Sequence, residues 1–83
     1  FEEAIEAHTQ DLAICREFGD RHREGQALNN LGGALYGVRR FEEAIEAHTQ
    51  AATVYRDLGD RHGEGTARMA WAIAHNERRL RRS

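Results

Sequence analysis

Apolar residues fall at steps of three and four along most of the chain, the spacing that stacks side chains on one face of an α-helix. Phe1, Ala4, Ile5, His8, Leu12, Cys15 and Phe18 make one such stripe, with histidine holding one of its places. Phe41, Ala44, Ile45, His48, Ala52, Tyr55 and Leu58 make a second. Between them lies a third helical segment carrying Ala27, Leu28, Leu31, Gly32 and Leu35. Strict alternation, the mark of a half-buried strand, is found nowhere. Glu2, Glu3 and Glu6 stand in the first turns, where the helix dipole favours negative charge. Gly19 and Gly59 suit the left-handed position that ends a helix, and Asp20 and Asp60 after them suit the cap that starts the next. The stretch Gly37-Val38-Arg39-Arg40 reads as a short turn. These signals predict an all-α chain of antiparallel helix-turn-helix units, with four helices at about 1–18, 21–37, 41–58 and 61–80.

The chain is also a repeat. Residues 1–10, FEEAIEAHTQ, recur letter for letter at 41–50. The offset of 40 then runs through Gly19-Asp20-Arg21-His22 and Gly59-Asp60-Arg61-His62, and through Glu24-Gly25 and Glu64-Gly65. Over the two units, 20 of 40 aligned positions are identical, so one supersecondary motif is present twice.

The residues from Leu28 onward resemble the tetratricopeptide repeat. Leu28, Leu31 and Leu35 supply its large apolar positions and Gly32 the small one among them. Phe41 meets the aromatic early in the second helix, and Ala44 and Ala51 meet the small positions beyond it. Two residues depart from the pattern: His48 stands where an aromatic is expected, and Asp11 where alanine is. The unit of 40 exceeds the common 34 and looks like the longer variety found in kinesin light chains, LGN-type polarity adaptors and bacterial regulators. The GDR-x-x-EG link is similar to the link of that variety. In this reading residues 1–83 are a single repeat domain. Residues 1–18 are the second helix of a half-repeat, 21–58 a complete repeat, and 61–80 the first helix of the next.

The resemblance implies a superhelix of helix pairs whose first helices line a concave groove for a peptide or partner helix. Its groove positions would be Gln26, Asn29, Asn30, Gly33, Tyr36 and Gly37 on one helix, with Thr66, Met69, Ala70, Ile73 and Asn76 on the next. Some members grip a terminal carboxylate with lysine and asparagine; here only Asn30 matches, with Asn29 and Gly33 at the other places, which argues against that clamp. Asn29 and Asn30 are equally suited to bonding a partner's backbone and to joining neighbouring helices.

Composition narrows the function. A formal net charge of −2 gives no general drive toward nucleic acid or an anionic membrane. No apolar run approaches the ~18 residues of a membrane span. All twelve basic residues are arginine, and the one basic cluster, Arg78-Arg79-Leu80-Arg81-Arg82, lacks the aromatics that accompany nucleic-acid binding. It reads instead as a solvated helix end that suits the dipole. The single cysteine, Cys15, excludes an internal disulfide and sits on an apolar stripe as a small buried hydrophobe. His22 and His62 occupy equivalent places in successive units, too far apart for one ion, and no metal site is expected. No nucleophile, base and orienter come together, so no catalysis and no cofactor are expected.

The expectation is therefore a non-catalytic scaffold that binds a peptide or protein segment, through Gln26, Asn29, Asn30, Gly33, Tyr36, Met69, Ile73 and Asn76. The alternative is self-association, because the first and last helices each lack a repeat partner in this chain. Phe1, Ile5, Leu12 and Phe18 at one end would then meet Met69, Trp71 and Ile73 at the other, giving a homo-oligomer. The start at Phe1-Glu2-Glu3, already inside a helical pattern, suits a piece of a longer chain, and a cytoplasmic setting is expected.

Overall fold

The structure is a computed structural model that describes residues 2–82, so Phe1 lies outside the described residues. Four helices follow one another: α1 (Glu2–Phe18), α2 (Arg21–Gly37), α3 (Phe41–Asp57) and α4 (Arg61–Arg82). Among the described residues there is no strand. The helices begin and end where the local chemistry requires. Asp20 Oδ1 accepts a hydrogen bond from the Arg23 amide at 3.2 Å, and Asp60 Oδ1 from the Gly63 amide at 2.9 Å. Each satisfies an amide that the helix itself leaves without a partner.

Three links share one termination. The amides of Asp20, Arg40 and Asp60 reach back to the carbonyls of Cys15, Leu35 and Tyr55, each at 2.9 Å. The residue before each amide is left-handed: Gly19 at φ 68°, Arg39 at 65° and Gly59 at 74°. This is the Schellman arrangement, which glycine enters without the clash that a Cβ brings. The middle link uses arginine for it. Helix α2 does end at Gly37, but the left-handed residue comes two positions later.

Helix α4 runs past residue 80, where the pattern put its end. The positions equivalent to the α2–α3 turn are Glu77-Arg78-Arg79-Leu80, a run without glycine or proline that has no reason to break. The helix therefore continues as far as Arg82.

Successive helices pack antiparallel, with α2 and α4 on one side of the chain and α1 and α3 on the other. The resulting slab measures 41 × 29 × 13 Å, too thin to bury many large side chains, and Leu28 is the largest that is fully enclosed. Alanines make the close approaches: Ala27, Ala44, Ala51, Ala67 and Ala74 are all at most 1% exposed. One core cluster joins Leu12, Leu28, Val54 and Tyr55 to Ala27, Ala51 and Ala67; another gathers Leu35, Ala44, Ala47 and Ala74. Leu31 packs against both. At the α1–α2 link the buried Glu24 carboxylate takes Arg16 at 3.2 Å and Arg21 at 3.1 Å, and Arg21 reaches Asp57 on α3 at 3.5 Å.

The apolar stripes are buried unevenly. Leu12 and Cys15 are enclosed, Ile5 and Ile45 are half-buried, and Phe18 is 79% exposed. The reason lies in the neighbours. Helix α3 is covered on one side by α2 and on the other by α4, while α1 has only α2 beside it. Ile14, at the place equivalent to the buried Val54, is accordingly 53% exposed.

Candidate functional site

On the face shared by α2 and α4 lies an open pocket of about 370 Å³. Its walls are His22, Arg23, Gln26, Asn29 and Asn30 from α2, with His62, Gly63 and Thr66 from α4 and Tyr55 and Asp60 beneath them. The repeat builds it. Equivalent first turns of α2 and α4 lie side by side, so what one helix presents the next presents again.

Asp60 organises the upper rim. Besides capping α4, its carboxylate meets Nε2 of His22 at 3.4 Å, which ties the two helices together across the pocket. The Gly63 amide, and after it His22, hold the Asp60 carboxyl below its ordinary pKa. Tyr55 forms the floor, its ring set between Gly25 and Gly63. A Cβ at Gly63 would come 2.4 Å from that ring. Burial, and then Asp60, push the Tyr55 phenol upward, so it stays neutral at ordinary pH.

Four groove residues expected from the pattern line this pocket: Gln26, Asn29, Asn30 and Thr66. Gln26 and Asn30 are exposed. Asn29 also reaches α3. Its Oδ1 accepts from Nδ1 of His48 at 3.0 Å, so of its two roles the structure shows the joining of helices. Gly33 is exposed with open space around it, and Tyr36 is half-buried with its ring edge-on to Phe41 at 5.4 Å. Met69 and Ile73 are 69% and 52% exposed, and Asn76 accepts from Arg79 at 3.0 Å. None of these five belongs to the pocket wall.

His48, a histidine in a place suited to an aromatic, is 4% exposed and lies flat on Gly32, where an added Cβ would stand 2.5 Å from the ring. Burial lowers its pKa, keeping the ring neutral. Cys15 is buried as well, and burial, with Asp11 next, pushes its thiol upward, away from the reactive thiolate. Among the described residues no three histidine, cysteine or acidic side chains gather as a metal site would need.

The residues expected to mediate self-association divide. Leu12 belongs to the chain's own core at 6% exposure, and Ile5 is half-buried beside the second cluster. Phe18, Met69, Trp71 and Ile73 remain exposed, and Phe1 lies outside the described residues. Trp71 stacks on His75 at 4.9 Å with the rings 5° from parallel. It also lines a second cleft of about 450 Å³, between α3 and α4, that the sequence pattern did not single out. The offset of 40 would have found it, since this cleft repeats the groove in which α3 lies.

Antiparallel helix pairs in two layers, repeated at a fixed offset and presenting polar side chains along one face, define a helical-repeat interaction module. Residues 1–57, more than half of the chain, match the sequence profile of the tetratricopeptide repeat, and the chain belongs to that family. No curated protein matches it. Among the described residues no helix is long and apolar enough to cross a membrane.

Proposed function

We propose that this chain is a non-catalytic scaffold that holds an extended peptide segment of a partner protein against the α2/α4 face. The observation that supports this best is the pocket between the first turns of those helices, where the exposed amides of Gln26 and Asn30 stand beside Arg23, His22 and His62. Amide side chains offer a donor and an acceptor each, which suits the backbone of an extended segment. The Arg23 guanidinium at the rim suits an acidic side chain on it. In this reading α2 and α3 form one complete repeat of the longer variety, flanked by half-repeats, and the setting is cytoplasmic.

Peptides selected from a random library on the 83-residue chain test the proposal. Binding measured by fluorescence polarisation should weaken about tenfold in the Gln26→Ala/Asn30→Ala double variant, the equivalent of two lost hydrogen bonds. The thermal melt should be unchanged, because both side chains are exposed. Selected peptides that bind the double variant as well as the parent would place the binding face elsewhere. Self-association through the end helices is a second reading, favoured by the exposed Ile14 and Phe18 on α1 and Met69, Trp71 and Ile73 on α4.

A further inference from the structure

We propose that the α3/α4 cleft receives α1 of a second copy of this chain, head to tail, in the register that α3 adopts against α2. The proposal rests on the self-association reading and names its contact.

The internal junction supplies the template. Helix α3 lies antiparallel to α2 with His48 on Gly32 and Tyr55 on Gly25, and Arg16 of α1 donates to Gln50 Oε1 at 3.1 Å. Every part of that junction has an equivalent 40 residues away. Helix α1 opens with the residues that open α3, and the cleft formed by α3 and α4 is equivalent to the groove formed by α1 and α2. Moved along by one unit, the template sets His8 of the second copy over Ala72, and Gln10 of the second copy against Arg56. Both members of the arginine–glutamine pair are thus present again, unchanged.

The substitutions between the two junctions are complementary. Leu28 and Ala51 share a core cluster where α2 meets α3. Their equivalents are Arg68 and Asp11, so an apolar pair inside the chain becomes an ion pair between chains. Asp11 is the residue that departs from the family's alanine, and the paired charge gives that departure a purpose. Further along, the antiparallel register carries Glu2 and Glu3 of the docked helix toward Arg78, while the places of Glu43 and Glu46 beside Arg16 put Glu3 and Glu6 on the side of Arg56 and Arg68. Arg78 is held on that face because α4 continues as a helix where α2 turns; within the chain it is half-buried and bonded to His75 at 3.2 Å. Docking would also cover Ile14, exposed in the single chain while its equivalent Val54 is buried.

Two positions fit less well: Cys15 of the second copy stands over Gly65 where the Tyr55 ring lies on Gly25, and His8 meets Ala72. Ala72 replaces Gly32, at the place where a Cβ would crowd the histidine ring, so this junction is looser than the internal one. A loose, charge-paired contact between two different faces assembles reversibly, and with the rotation that the repeat sets between successive units it gives longer rows at higher concentration.

Sedimentation velocity of the 83-residue chain over a wide concentration series tests this. The average mass should rise with concentration. Arg68→Glu and Asp11→Arg should each weaken association about tenfold, and an equimolar mixture of the two should restore it. Both positions are exposed, and circular dichroism melts check that each variant is folded. A chain that stays monomeric throughout overturns the inference together with the self-association reading. Association that neither charge reversal alters overturns the inference alone, since other faces would then be pairing.

Discussion

His48 and Gly32 show how one residue decides the distance between two helices. The ring is buried and lies where any side chain on residue 32 would intrude, so the seat exists only because glycine provides no Cβ. Gly32→Ala should therefore destabilise the chain by about 1–3 kcal/mol, read from urea melts, even though alanine is the better helix former. A gain in stability would mean that the ring moves aside freely. The same burial makes the fold sensitive to acid. The His48 pKa is lowered from 6.5, so below that value the unfolded chain binds a proton that the folded chain refuses. Stability is complete above the unfolded pKa and falls as the pH drops toward the folded one. Thermal melts between about pH 7.5 and 5.5 should show a decline that is shallower in His48→Gln. The carboxyl of Asp60 moves in the same direction at lower pH: its stabilisation is present above its ordinary value of 3.8 and is lost below it.

At the scale of the element, the helix ends were the most legible feature, because capping depends on neighbours in sequence. Asp20, Asp60, Gly19 and Gly59 do what their chemistry suggests. Arg39 was not legible. The pattern placed glycine in the turn, at Gly37, whereas the left-handed conformation falls on Arg39, whose neighbouring amide must reach the Leu35 carbonyl. The two kinds of link should respond oppositely to substitution. Gly59→Ala should cost about 1 kcal/mol, by forcing a Cβ into the left-handed region, and Arg39→Gly should add up to about 1 kcal/mol by relieving it. Denaturant midpoints measure both. Equal signs would show that the turn conformation is not what sets their stability.

Over the whole molecule, position in the array matters more than hydrophobicity. Ile14 and Val54 are equivalent and both apolar, yet Val54 is buried and Ile14 is not, because α3 has a helix on either side. Ile45, on the apolar stripe of the same helix, is only half-buried, so its truncation should cost less than that of an enclosed side chain. If α1 docks on α4 of another chain, the melting temperature should rise with protein concentration, since association stabilises only the folded form. The exposed α4 face, with Met69, Trp71 and Ile73, would then be partly covered.

The sequence by itself determined the four helices, the offset of 40, the caps and the family, since each depends on neighbouring residues or on repetition along the chain. The family resemblance also grouped Gln26, Asn30 and Thr66, which line one pocket between α2 and α4. Only the tertiary structure decided that Asn29 faces His48, that Tyr55 floors the pocket, that His22 meets Asp60, and that α4 presents a cleft equivalent to the seat of α3. Those contacts join residues that are distant in sequence, and their geometry depends on how closely glycine and alanine let the helices approach.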